Sequence, residues 1–315
     1  MGGHYPMSKI LVKCRNIHIG DILFASSVAK KLKEETPSSE VHFDVDYLQP
    51  IELLNNNPYI DKVFFKESDS DYTKTYNIIE SGYTIDPYES TPSQFQKMCD
   101  VKSFDDTFEI FTSQYLDYSI EKSMNELVKI NEWKDDYIKV GYQMDWEQKS
   151  FLFTEEEYYR ADGGEDGTGY GTGKRNIYDI INCMEVHPKI VLLALGIDDK
   201  VSKRFPTINS TSKFTFTASL IKNCDYVIGA EGCLTNISAA LGVPTIITTD
   251  YIYQMFGPKG VMWQQNKKEK PALETRQPFL GPLSYFPNGP HTHLNPFLND
   301  LQVGDQILEI ICNGR

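Results

Sequence analysis

Two short stretches hold residues whose types and spacing suit the handling of a phosphorylated ligand. The first follows the apolar run Lys9 to Cys14 and reads Arg15, Asn16, Ile17, His18, Ile19, Gly20, Asp21. A carboxylate at Asp21, just outside the carboxyl end of a strand, could take a proton from an incoming hydroxyl. Aspartate is also a favoured helix cap, so a purely structural role stands beside the chemical one. His18 in the same loop could be a base or hydrogen-bond donor, or a plain solvated histidine. Arg15 and Lys13 could steady a phosphate or a sugar carboxylate, or serve only as surface charge.

The second stretch is Asp225 to Ile247. An apolar run, Tyr226 to Ile228, leads into a turn built on Gly229, Glu231 and Gly232, where glycine would supply the φ freedom for a sharp bend into a helix. That helix is predicted to start near Gly232 or Cys233 and to stop at Leu241, because Gly242 suits a C′ position and Pro244 cannot continue the ladder. Its first turn directs backbone N–H groups and the positive end of the helix dipole outwards, a setting that suits a diphosphate. Thr235 and Asn236 could there reach a ribose or phosphate, or merely satisfy the helix terminus.

Between the two, Arg160 to Lys174 carries six glycines, Gly163, Gly164, Gly167, Gly169, Gly171 and Gly173, and is expected to be a mobile loop. Lys174 and Arg175 directly after it could swing onto a diphosphate, or belong to an ordinary surface excursion. Asp198 and Asp199 follow a strand ending at Gly196, where they could accept hydrogen bonds from ribose or simply form a turn. No Gly-Lys-Ser/Thr closes the glycine run, no Gly-x-Gly-x-x-Gly follows the first strand, and no Gly-x-Ser-x-Gly occurs. A magnesium-holding phosphate loop, a dinucleotide fingerprint and a serine-hydrolase elbow are thereby disfavoured.

The elements that must position these residues alternate. Lys9 to Cys14 predicts a strand. From Ile22 the residues Ile22, Leu23, Ala25, Ser26, Ala29 and Leu32 recur at helical spacing until Pro37. Glu40 to Val45, a short helix from Ile51 and Asp61 to Phe65 follow, which together imply a parallel sheet covered by helices. The chain from Glu67 to Trp133 is hard to read beyond possible helices at Ser93 to Cys99 and Ile120 to Ile130. Tyr137 to Tyr142 suits either the last strand of one sheet or the first of another. Beyond it, a helix from Asn176, a strand at Lys189 to Leu195 and a helix at Phe214 to Lys222 repeat the alternation. The expected fold class is therefore α/β, with domains at 1–135 and 136–315.

At 315 residues the chain is long enough for two cores of ordinary size. Its net charge of −13 comes with no basic block interleaved with aromatics, so no nucleic-acid partner is expected. No run approaches the ~18 apolar residues that span a bilayer, and the short polar opening is unlike a signal peptide, so no transmembrane segment and a cytoplasmic location are predicted. Six scattered cysteines without a metal-like spacing predict reduced, mostly buried thiols and no metal site.

Two longer stretches together resemble the heptosyltransferase family, glycosyltransferase family 9. One is Ile10 to Leu23, Ile-Leu-Val-Lys-Cys-Arg-Asn-Ile-His-Ile-Gly-Asp-Ile-Leu, continued by Leu53 to Val63. The other is Ser219 to Gly229 with its continuation through Glu231-Gly232 to Thr245. The resemblance implies the GT-B fold, two Rossmann-like domains facing a cleft. It implies transfer of a sugar from a nucleotide sugar, bound by the C-terminal domain, to a glycan or lipid-linked sugar acceptor presented by the N-terminal one. Asp21 falls on the family's proposed general base, and the family's phosphate turn, usually Asp-Ser/Thr-Gly-Pro-Met-His, is here Glu231-Gly232-Cys233-Leu234-Thr235-Asn236. An inverting displacement without metal would follow. The alternatives are a GT-B-fold nucleotide-sugar epimerase and a catalytically silent nucleotide-sugar binding protein.

Overall fold

The structure, a computed structural model, describes residues 8–66, 71–79, 91–104, 108–130, 137–143, 177–185, 187, 189–195, 214–230, 232–249, 291–294 and 300–313. These fall into two compact units. The first takes the described residues up to Gln114 together with Phe214 and Thr215, and the second takes the rest.

In the first unit, β1 (Lys9–Arg15), β2 (Glu40–Val45), β3 (Lys62–Phe65) and β4 (Lys74–Ile79) form one sheet in the order β3-β2-β1-β4. Every pairing is parallel. Helices α1 (Ile19–Glu35), α2 (Ile51–Asn55) and α3 (Thr91–Met98) accompany it. Helix α1 buries Ile22, Leu23, Ala25, Ser26, Ala29 and Leu32, the stripe expected from the spacing, and also Phe24, Ser27 and Val28. It begins at Ile19, three residues earlier than the apolar pattern suggests, with Gly20 and Asp21, which add no apolar side chain to that pattern, in its first turn. Against α1, the Gln96 amide of α3 donates to Ser27 Oγ at 3.2 Å, so two buried polar groups satisfy each other.

The second unit holds β5 (Ile138–Gln143), β6 (Ile190–Leu195), β7 (Tyr226–Ala230), β8 (Thr245–Thr249) and β9 (His291–His293) in the order β6-β5-β7-β8-β9, again all parallel. Tyr137 to Tyr142 thus belongs to the second sheet. Helices α4 (Gln114–Ile130), α5 (Ile177–Glu185), α6 (Phe214–Lys222), α7 (Cys233–Ala240) and α8 (Asp300–Asn313) complete the described elements. Strand β6, Ile-Val-Leu-Leu-Ala-Leu, is buried at every position, as a strand covered on both faces must be.

Helix α8 packs on α5 and buries Val303, Gly304, Ile307 and Ile311. Gly304 is the point of closest approach: a Cβ there would stand 2.7 Å from Cys183 Sγ, 2.8 Å from Cys183 Cβ and 3.2 Å from the Ile180 carbonyl oxygen. Gly304→Val is therefore expected to lower stability by about 2 kcal/mol, overpacking outweighing the better helix propensity. A urea titration in which the variant keeps the wild-type midpoint would show that these helices can part without loss.

None of the six cysteines is in a disulfide, and Cys14, Cys99 and Cys224 are buried. Burial pushes the Cys224 thiol up to about 12, and the Cys99 and Cys14 thiols are likewise raised, so none of the three is a thiolate at neutral pH. Among the described residues no cluster of metal-ligating side chains occurs, and no helix is long and apolar enough to cross a membrane.

Candidate functional site

Both sheets reverse their strand order at one point. In the first, the chain runs outwards from β1 through β2 to β3 and then returns to place β4 on the other side of β1. In the second, β6 lies on one side of β5 and β7 on the other. Parallel α/β sheets bind ligands at the carboxyl ends of strands beside such a reversal. The loop from β1 to α1 lies at the first reversal and the turn from β7 to α7 at the second. These are the two stretches singled out above.

In the first loop, His18 is the N-cap of α1 and Asp21 is its N3 residue. Asp21 Oδ2 accepts the His18 backbone N–H at 3.3 Å, so the carboxylate that could act as a base also holds the start of its own helix. His18 is exposed and Asp21 half-buried. Arg15 is already paired. Its guanidinium donates to Asp46 Oδ1 at 2.6 Å and to Asp44 Oδ2, two carboxylates at the end of β2.

Asp46 does more than pair with Arg15, because its Oδ2 also accepts the Asn16 backbone N–H at 2.8 Å. Asn16 has a φ of 54°, in the left-handed region that asparagine tolerates better than most residues. The loop carrying His18 and Asp21 is thus clamped at its first residue by a side chain of the neighbouring strand. Burial alone would raise the Asp46 carboxyl and lower the Arg15 guanidinium. The Asn16 N–H and the Arg15 charge outweigh that for Asp46 and hold it below the usual carboxylate range. Asp46 and Asp44 outweigh it for Arg15 and hold it above the usual value. Asp44 and Asp46 carry no mark in the sequence, since only the register of β1 against β2 brings them to Arg15.

In the second unit, α7 runs from Cys233 to Ala240 with Leu241 as C-cap, and Gly242 has a φ of 72°. Helix start and stop agree with the sequence reading. The reason for the glycines differs. Gly232 is extended, with a φ of 162°, and Gly229 is needed for space: a Cβ there would stand 2.8 Å from Gln143 Oε1 and 2.9 Å from Thr235 Cγ2. Thr235 is fully buried; its Oγ1 accepts the Gly232 N–H at 3.0 Å and donates to the Gly232 carbonyl at 2.9 Å. It locks the turn. Asn236 is 2% exposed, and its backbone N–H makes the bond to the Gly232 carbonyl at 3.0 Å. Cys233 is half-buried on the same turn. Glu231, Lys174, Arg175, Asp198, Asp199 and the Gly163 to Gly173 run lie outside the described residues.

Solved structures of the same architecture are known. The chain superposes on a glycosyl transferase family 9 protein from Veillonella parvula DSM 2008 with a TM-score of 0.59, covering 97% of this chain and 98% of that one at 10% identity. The chain has the GT-B fold of these glycosyltransferases. The E. coli ADP-heptose LPS heptosyltransferase II matches with a TM-score of 0.58 over 97% of this chain and 99% of its own, at 10% identity. E. coli heptosyltransferase WaaC, solved with ADP-2-deoxy-2-fluoro heptose, matches with a TM-score of 0.53 over 97% and 100%, at 9% identity. At such identities the likeness is one of fold. No protein-family model matches the sequence, and no curated protein does.

The two loops differ in their chemistry. The β7-α7 turn offers a helix N-terminus over a buried, internally bonded bend, which suits an anion. The β1-α1 loop offers a half-buried carboxylate on a clamped backbone, which suits proton transfer.

Proposed function

We propose that this protein is a glycosyltransferase that moves a sugar from a nucleotide diphosphate donor to a hydroxyl of a glycan or lipid-linked sugar acceptor. The observation that carries this reading is that Asp21 and the Gly229–Asn236 turn each lie where the strand order of their own sheet reverses. In the proposed reaction the acceptor oxygen attacks the anomeric carbon and its proton passes to Asp21. The bond from that carbon to the diphosphate breaks, and the nucleotide diphosphate leaves with the electron pair, inverting the centre. Backbone N–H groups and the dipole at the start of α7 offset the leaving charge, with Lys174 and Arg175 as the cations proposed to assist. A second reading is a nucleotide-sugar binding protein without turnover. It draws support from Thr235, whose hydroxyl occupies the Gly232 N–H that a phosphate would otherwise receive.

The experiment is a thermal-shift panel of ADP-, UDP- and GDP-sugars followed by assay of nucleotide diphosphate release with candidate acceptors. A ligand at about 100 times its Kd stabilises by about 2.7 kcal/mol, a readily measured rise. No shift with any nucleotide sugar would overturn both readings, and a shift without acceptor-dependent release from any acceptor would leave the binding protein.

A further inference from the structure

Gln143 closes β5, and Gly229 on β7 stands next to it where the strand order of the second sheet reverses. The glutamine is 9% exposed, and its Oε1 has no hydrogen-bond donor. That oxygen occupies the space a side chain at Gly229 would need, lying 2.8 Å from the position of a Cβ there. Asn236, on the first turn of α7, is 2% exposed, and its Oδ1 also lacks a donor. Thr235, the residue before it, presents its methyl to the same Gly229 position at 2.9 Å.

Buried amide oxygens without donors are rare, because each forfeits its bond to water on folding and gains nothing back. Gln143 Oε1, held against Gly229 at the end of a parallel sheet where ligands bind, and Asn236 Oδ1, on the first turn of the helix that follows, call for a ligand with donors of its own. A phosphate does not satisfy an amide oxygen. Its oxygens are acceptors at neutral pH, like the amide oxygens themselves. They require O–H or N–H groups, and a ligand that also places an anion at the start of α7 must carry both kinds within a few ångströms. A nucleotide sugar does, through its diphosphate and the hydroxyls on either side of it.

We propose that Gln143 and Asn236 read hydroxyl groups of the donor, accepting hydrogen bonds from the sugar ring next to the diphosphate, while Gly229 keeps the room that Gln143 fills. This rests on the donor-site reading above. Gln143 then sets specificity among ligands that share the diphosphate, since a ligand lacking the hydroxyl leaves the amide oxygen buried and unsatisfied.

The test is Gln143→Met, which keeps length and bulk but removes the acceptor. Ligand-free, the variant is expected to melt about 2–4 °C higher than wild type, because an unsatisfied buried group has gone. Calorimetry with ADP, UDP, GDP, ADP-glucose, UDP-glucose and GDP-mannose is expected to show about a tenfold loss of affinity for whichever the wild type binds. A loss shared by the nucleoside diphosphate and its sugar conjugate puts the hydroxyl on the ribose. A loss confined to the conjugate puts it on the transferred sugar. Unchanged affinity, or a lower melting temperature in the ligand-free variant, overturns the proposal and leaves the transferase reading standing. Wild-type protein that binds none of the six overturns both.

Discussion

Asp21→Asn is expected to lower kcat by about 10²- to 10⁴-fold with the donor Kd unchanged, the range typical for loss of a positioned general base. Asparagine is the informative replacement because Asp21 has two tasks. Its Oδ2 accepts the His18 N–H at 3.3 Å, and an amide oxygen can accept that bond as a carboxylate does. The start of α1 therefore survives in Asp21→Asn, while the ability to take a proton is lost. Asp21→Ala removes both and should add a modest fall in melting temperature, as loss of a helix-capping contact typically amounts to about 1 kcal/mol. Turnover with the true donor and acceptor is the measurement. An Asp21→Asn protein that turns over at the wild-type rate would leave Asp21 as a helix cap and nothing more.

The sequence signals that proved legible are the local ones. The apolar stripe of α1, the buried run of β6 and the Gly242-Pro244 stop of α7 each follow from neighbours within a few residues. Strand β4, Lys-Thr-Tyr-Asn-Ile-Ile, escaped because only Tyr76 and Ile78 face the core, and the segment before it is dense in aspartate and tyrosine. Helix α8 carried a readable pattern in Val303, Ile307 and Ile311, four residues apart, whereas β9 spans three residues with no apolar alternation. What could not be read is long-range. Gln143 meets Gly229, and Asp44 and Asp46 meet Arg15, only through the register of parallel strands that lie far apart in sequence. The glycine at 229 was legible as special, but its cause was not: a side chain from another strand fills its space, and the backbone needs no unusual φ.

Arg15→Met is expected to destabilise the first unit by about 3 kcal/mol, the low end of the range for removing one partner of a buried ion pair. The Asp44 side chain is fully buried, so its charge would lose the guanidinium that balances it. The low end applies because Arg15 and Asp46 keep 23% and 21% of their side chains exposed, which lets water share the load. The double variant Arg15→Met, Asp44→Leu should recover most of the loss, since the fully buried carboxylate is then gone as well and Asp46 is partly exposed. A difference between single and double variants of less than about 0.5 kcal/mol in denaturant titrations would show that removing Asp44 does not relieve the loss of Arg15. The pH dependence follows from the same contacts. Asp46 titrates lower in the folded protein than in the unfolded chain, so its stabilisation is complete above the ordinary aspartate range and is lost as pH falls through its depressed value. Without Arg15 that depression shrinks, and the acid-unfolding midpoint of Arg15→Met should move to higher pH. An arginine whose business was the acceptor would behave differently: its removal would raise KM and leave both the denaturant and acid midpoints where they were. With Arg15 held by two carboxylates, and one of these also gripping the Asn16 N–H, the larger effect belongs to the shape of the loop that carries Asp21.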